Sequence, residues 1–137
     1  MLNYKKIIQL KLILVFIFFP NIIFADNHNI NEILELIQKD LKNLDTNTFL
    51  DVFEGVTQTE ISKSEIEIGF DIIGALAEKT GFLKSNGEAR RALKENSVSV
   101  NFTKVKEGHL IESTALIHGK FILLQRGKKN KFIIQVA

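Results

Sequence analysis

The chain has 137 residues, 45% of them hydrophobic, and no cysteine. This length allows one domain of ordinary size, and the lack of cysteine excludes disulfides and thiolate metal sites. Residues 26–78 carry twelve acidic and three basic side chains, a net charge of −9, whereas residues 79–137 carry four acidic and twelve basic ones, a net charge of +8. This segregation predicts a polyanion-binding end, with a merely solvated basic surface as the alternative.

The first 25 residues are laid out like a secretory signal. Lys5 and Lys6 supply positive charge, Leu12–Phe19 are continuously apolar, and Ala25 precedes a candidate cleavage point. An uncleaved membrane anchor is the alternative, with membrane contact through residues 7–25. Either interpretation implies export or membrane attachment.

A short heptad pattern follows within residues 26–45. The apolar residues Ile30, Leu34, Ile37, Leu41 and Leu44 recur at alternating spacings of four and three. This spacing predicts an amphipathic helix or linker, which either forms about two coiled-coil repeats or packs on the rest of the chain. The polar run Asp45–Thr48 then marks a domain boundary.

Residues 46–80 are predicted to hold a connector and a first helix. Ser62 and Glu65 have the spacing of a capping box, and the apolar positions between Ile66 and Ala77 follow a helical period. We expect this helix to end near Gly81.

A second capped helix is predicted from Ser85 to about Glu95. Ser85 and Glu88 have the spacing of a capping box, and Asn96 suits the left-handed position after a helix. Arg90, Arg91 and Lys94 lie on one side of this helix, and Ala89, Ala92 and Leu93 form the packing side. The three cations repel one another, which an anion would relieve; an ordinary exposed helix face is the alternative.

Beyond Ser97 the hydrophobic period becomes that of β-strands. Val98 and Val100 alternate with polar residues, and Phe121–Leu124 and Phe132–Val136 predict two further strands. A basic hairpin loop of about five residues, Arg126–Asn130, joins the last two strands. It predicts a phosphate-backbone contact without base reading, and the alternative is a solubilising hairpin tip.

No catalytic arrangement is evident. Ile61–Ser64 (ISKS) is similar to the end of the KMSKS loop of class I aminoacyl-tRNA synthetases, but it lacks the preceding lysine and the glycine-rich surroundings. There is no phosphate-binding glycine loop and no Ser/His/Asp arrangement. His28, His109 and His118 lie too far apart to suggest a zinc site. We therefore expect no catalytic residue, no cofactor and no metal.

Four segments together resemble the carboxy-terminal domain of bacterial tyrosyl-tRNA synthetases, which belongs to the S-four-type RNA-binding family. They are Ser85–Lys94 (SNGEARRALK), Val98–Asn101 (VSVN), His118–Phe121 (HGKF) and Leu124–Asn130 (LQRGKKN). The similarity extends upstream to Phe49 and so covers about 90 residues. Two departures from the family pattern are Glu95–Ser97, in place of a glycine-rich turn, and Phe102 after Asn101.

The resemblance implies an α+β fold, in which two packed helices and a short, mostly antiparallel sheet form a small RNA-binding module. It also implies a cytoplasmic protein that binds tyrosine tRNA, which conflicts with the export-like segment. The predicted organisation is a signal-like segment (1–25), an amphipathic helix or linker (26–45), a connector and first helix (46–80), and the RNA-binding domain (81–137). The RNA-binding residues are predicted to be Arg90, Arg91, Lys94, Lys104, Arg126, Lys128, Lys129 and Lys131.

The synthetase's catalytic domain and its signature motifs are absent from this chain. We therefore expect a fragment or fusion without aminoacylation activity, and an active ligase would require a longer gene product. The alternative from another class is an exported or membrane-anchored coiled-coil interaction protein whose basic end binds a polyanion.

Overall fold

The computed structural model describes residues 45–127 and 129–137. Residues 45–54 belong to one compact unit, and Gly55–Ala137 form a second. The predicted signal or anchor segment, its membrane contact through residues 7–25 and the heptad of residues 30–44 lie outside the described residues. Within the described part of the chain, no helix is long and apolar enough to cross a membrane.

Helix α1 (Thr46–Val52) is the described part of the first unit. Asp45 caps this helix, because its carboxylate accepts hydrogen bonds from the backbone N–H groups of Asn47 and Thr48 at 3.1 Å each. The Thr48 hydroxyl donates a third bond at 2.7 Å, and these bonds lower the pKa of Asp45. The polar run Asp45–Thr48 therefore forms the capped start of a helix, and the domain boundary placed there stays a prediction.

The second unit is built on a five-stranded sheet, with strand order β1-β7-β6-β3-β4. Its strands are β1 (Thr57–Ile61), β3 (Val98–Val100), β4 (Thr103–Lys104), β6 (Phe121–Arg126) and β7 (Asn130–Val136). Strands β1 and β7 pair in parallel, and every other neighbouring pair in this sheet is antiparallel. The predicted α+β class with a mostly antiparallel sheet is confirmed.

The helix predicted between Ser62 and Gly81 is interrupted, so that prediction was wrong in one respect. Helix α2 (Lys63–Ile68) ends at Gly69, whose φ of 80° is incompatible with a continued right-handed helix. A short strand β2 (Phe70–Asp71) follows and pairs antiparallel with β5 (Leu110–Ile111). Helix α3 (Ile72–Gly74) then begins and continues as a π-helical stretch, Ala75–Lys79.

The caps of these helices agree with the sequence-based expectation. The capping box between Ser62 and Glu65 is confirmed in both directions. The helical stretch after Asp71 ends before Gly81, whose φ is 65° and whose N–H donates to the Ala77 carbonyl oxygen at 2.8 Å.

The core of the second unit lies between the helices and one face of the large sheet. Alternate residues of the strands enter it, as expected for a period of two. The cluster includes Ile66, Ile72, Leu76, Ala89, Ala92 and Leu93 from the helices, and Val98, Val100, Ile122, Leu124, Phe132 and Ile134 from the strands. Each large apolar side chain buried there contributes about 1.5–3 kcal/mol.

The β3–β4 and β6–β7 hairpins both have tight turns. Val100 pairs with Thr103, so only Asn101 and Phe102 form the β3–β4 turn, and their φ angles are 48° and 68°. Arg126 pairs with Asn130, so the β6–β7 loop has three residues, not about five as predicted from the sequence. Gly127 opens that loop at a φ of 63°.

Candidate nucleic-acid interface

Helix α4 (Asn86–Lys94) carries the first basic cluster. Ser85 caps it, because its Oγ accepts a hydrogen bond from the Glu88 backbone N–H at 3.1 Å. The return bond differs from that of a capping box: the Glu88 carboxylate accepts from the Lys84 backbone N–H at 2.9 Å, one residue before Ser85. Asn96 follows the helix at a φ of 53°, the left-handed conformation expected for it.

The cations of α4 are on its exposed side. Ala89 and Ala92 are fully buried, and Arg90, Arg91 and Lys94 are all exposed. Arg90 forms an ion pair with Glu107, with 3.4 Å between its Nε and the carboxylate Oε1. Within residues 45–127 and 129–137, neither Arg91 nor Lys94 forms an ion pair. These two side chains are therefore available to an external anion.

The second basic cluster approaches the same helix through Arg126. Its Nη1 lies 2.5 Å from Glu88 Oε1, and the two side chains are 27% and 29% exposed. The hydrogen bond from the Lys84 backbone and then that from Arg126 lower the pKa of Glu88. Because Arg91 is three residues after Glu88, Arg126 contacts α4 on the side that carries Arg91.

The turn beyond Arg126 is linked to the far end of α4 as well. The Gly127 backbone N–H donates to the Ser97 carbonyl oxygen at 2.8 Å. Lys129 is exposed in this turn and forms no ion pair with any residue whose position the structure gives. Lys128, another predicted contact, lies outside the described residues.

Lys104 and Lys131 lie on a different face. In the sheet register, Lys131 pairs with Gln125, Gln125 with Ser99, and Ser99 with Lys104. Side chains in such a row point to the same face of a sheet, and this face is opposite to the one that packs on the helices. Lys131 is only 8% exposed, and burial lowers its pKa. The eight predicted RNA contacts therefore do not all meet on one surface.

Two acidic residues of this region were not expected to pair with the predicted RNA contacts. Glu88 was interpreted only as a helix cap, although it also binds Arg126, 38 residues away. Glu107, in the segment after β4, binds Arg90. The one available signal in the sequence was that these are two of the four acidic residues among residues 79–137.

This arrangement is suited to binding anions, and no metal is needed for that. Arginine and lysine donors on a helix and on a neighbouring turn can bind successive phosphates of a backbone. Among the described residues, no group of three or more His, Cys, Asp or Glu side chains is placed to hold a metal ion.

Comparison with known proteins identifies relatives of this sequence. The model of the tyrosine–tRNA ligase SYY-like C-terminal domain matches residues 48–134. The chain is 59% identical over 98 residues to the tyrosine–tRNA ligase of Flavobacterium johnsoniae, a match that covers 72% of this chain and 23% of the relative.

Two more tyrosine–tRNA ligases give matches of similar extent. The enzyme of Flavobacterium psychrophilum is 56% identical over 97 residues, covering 71% of this chain and 22% of the relative. That of Parabacteroides distasonis is 37% identical over 95 residues, covering 69% and 22%. The chain thus spans less than a quarter of the length of these curated relatives. Because the family model matches more than half of the chain, this protein belongs to the family of tyrosine–tRNA ligase SYY-like C-terminal domains.

Proposed function

We propose that the second unit, Gly55–Ala137, is a tRNA-binding module that binds the phosphate backbone of tyrosine tRNA. The observation that carries this proposal is the ion pair between Glu88 and Arg126, which brings the basic β6–β7 turn against the cationic helix α4. Membership of a family named after tyrosine–tRNA ligases supports tRNA as the polyanion and tyrosine tRNA as the preferred one.

The cations differ in their suitability as phosphate contacts. Arg91, Lys94 and Lys129 are exposed and form no ion pair among the described residues, so we assign the principal contacts to them. Arg90 is also exposed, and it can exchange Glu107 for a phosphate because a solvent-exposed ion pair contributes little free energy. Lys128 joins this group by its place in the sequence. Lys104 and Lys131, on the opposite face of the sheet, are assigned no contact in this proposal.

Backbone binding alone carries little sequence information, since phosphates are the same in every tRNA. A preference for tyrosine tRNA would therefore depend on the shape of the folded RNA as this surface meets it. Such a role also places the domain in the cytoplasm, where tRNA is found. No aminoacylation is assigned to the chain, because its sequence contains none of the synthetase's signature motifs.

The test is a titration of the 137-residue chain against tyrosine tRNA and an unrelated tRNA at two salt concentrations. We expect tight binding that weakens as salt rises, because neutralised phosphates release counterions. Tighter binding to the tyrosine tRNA would support the preference, and equal affinities would reduce the proposal to general tRNA binding. No measurable binding at low salt would refute it.

A further inference from the structure

Glu88 connects the start of helix α4 to the end of strand β6. Its Oε2 accepts a hydrogen bond from the Lys84 backbone N–H at 2.9 Å, and its Oε1 accepts one from Arg126 Nη1 at 2.5 Å. Both carboxylate oxygens therefore have partners within the fold. The bond to Arg126 is charge-assisted and about three-quarters shielded from solvent, so it orients the arginine more firmly than an exposed pair would.

The β6–β7 turn has one further connection to the region of α4. The Gly127 N–H donates to the carbonyl oxygen of Ser97, and Ser97 is itself bonded to Ala92 through its hydroxyl at 2.8 Å. The turn is thus attached near both ends of the helix. Losing the Glu88 contact would leave it attached, through these contacts, only at the far end.

We propose that Glu88 is a positioning residue of the RNA interface, which holds Arg126 and the basic β6–β7 turn beside Arg91 of α4. This inference rests on the proposed function. Arg126 then acts as the link between two elements, since its charge is neutralised by Glu88 and its side chain is mostly covered. The phosphates are bound by the more exposed cations on either side of that link.

The direction in which RNA affinity changes when Glu88 is neutralised separates this role from simple electrostatics. An acidic side chain within a polyanion-binding surface repels phosphates, so its neutralisation should strengthen binding. If Glu88 positions the turn, Glu88→Gln should weaken binding although the protein becomes more positive. Glu95→Gln is the matched control, because Glu95 is exposed, lies seven residues after Glu88 at the C-cap of α4 and forms no ion pair within the described chain.

The experiment compares four variants of the 137-residue chain in their affinity for tyrosine tRNA at one salt concentration. We expect Glu88→Gln to bind about fivefold more weakly, the loss of one partly shielded ion pair. Glu95→Gln should bind as tightly as the wild type or slightly more tightly. Arg126→Gln should weaken binding, and adding Glu88→Gln to it should cause no further loss, because both act through one contact.

A second readout needs no RNA and detects the position of the turn directly. Glutamine can still accept the bond from the Lys84 N–H, so the helix start should persist in Glu88→Gln. The Gly127 amide should nevertheless exchange with solvent faster in Glu88→Gln and Arg126→Gln than in Glu95→Gln.

Two results would overturn the inference. One is Glu88→Gln binding RNA as tightly as Glu95→Gln does, and the other is an unchanged exchange rate of the Gly127 amide. Failure of the wild-type chain to bind any tRNA would instead refute the proposed function, and the exchange measurement would still decide whether Glu88 holds the turn.

Discussion

Two neighbouring residues with opposite effects on stability form the β3–β4 turn. Asn101 and Phe102 both have positive φ, the combination that a two-residue hairpin of type I′ requires. Asparagine tolerates this conformation, but a bulky residue such as phenylalanine is strained in it. The turn is held by Asn101, whose side chain donates to the Ala115 carbonyl oxygen and accepts from the Leu123 N–H at 2.9 Å.

At Phe102 the backbone strain predicts that a glycine variant is more stable than an alanine variant, the reverse of the order expected in a strand. Phe102→Gly should be more stable than Phe102→Ala by about 1 kcal/mol, because both remove the ring and only glycine relieves the positive φ. The measurement is the free energy of unfolding in urea. The same pair at Thr103, a strand residue, is the control, and there alanine should be the more stable. An alanine variant at least as stable as the glycine variant at Phe102 would show that the turn is not strained.

At Asn101, by contrast, substitution by glycine should reduce the stability of the protein relative to the wild type. Asn101→Gly keeps the freedom to adopt a positive φ but removes both side-chain hydrogen bonds. The buried Leu123 N–H then loses this acceptor, so we expect a loss of about 1–3 kcal/mol in the free energy of unfolding. Urea denaturation of both variants side by side tests this pair of predictions. A glycine variant as stable as the wild type would mean that the bonds contribute nothing.

Helix α2 and the helical stretch Ile72–Lys79 are connected by an ion pair between Glu65 and Lys79, which no sequence pattern predicted. Glu65 of α2 accepts from Lys79 Nζ at 2.6 Å, and Lys79 also lies over the Phe70 ring at 5.4 Å from its centroid. The hydrogen bond from Lys79, followed by those from Ser62, lowers the pKa of Glu65 from 4.5 to about 2.

This pKa shift predicts a pH dependence of stability. Between pH 4.5 and about 2 the unfolded chain binds more protons at Glu65 than the folded one, so the stabilisation is complete above this window and is lost as pH falls through it. The wild-type urea midpoint should therefore fall more between pH 7 and pH 2.5 than that of Glu65→Gln. High salt should reduce this difference, because the pair is partly exposed.

A matched control is available on the same helix. Glu67 is more exposed, and its carboxylate lies 3.9 Å from Lys63 Nζ, so Glu67→Gln should follow the wild-type pH dependence. If Glu65→Gln and Glu67→Gln lost the same stability on acidification, the contact with Lys79 would not explain the pH dependence.

Over the whole molecule, the exposed cations of α4 should determine the salt dependence of RNA binding. The slope of log K against log salt is negative, and its magnitude grows with the number of phosphate contacts. Removing two contacts with Arg91→Ala and Lys94→Ala together should make the slope less steep by about 1.4–1.8. The control is Lys63→Ala with Lys120→Ala, which removes the same charge from α2 and from the end of β6 opposite to Arg126. Equal slopes for both double variants would exclude Arg91 and Lys94 as the phosphate contacts.

Much of the local structure could be predicted because it depends on residues close in sequence. The cap at Ser62, the left-handed exit at Asn96 and the packing side formed by Ala89 and Ala92 all follow from spacings of a few residues. The break at Gly69 was not predicted, because an isolated glycine inside a helical pattern is often tolerated. The strand that follows Gly69 pairs Phe70 with Ile111, a residue too distant in sequence for a local pattern to reveal.

The sequence by itself determined the capped helix with its cations and the basic turn, since hydrophobic period and capping act over short distances, and its resemblance to the family implied the α+β class. Only the tertiary structure decided which partners those cations have and on which face they lie. Arg126 pairs with Glu88, Arg90 pairs with Glu107, and Lys131 lies on the other face of the sheet. These outcomes depend on strand order, register and helix packing, which bring together side chains far apart in the chain, and no local pattern encodes such distances.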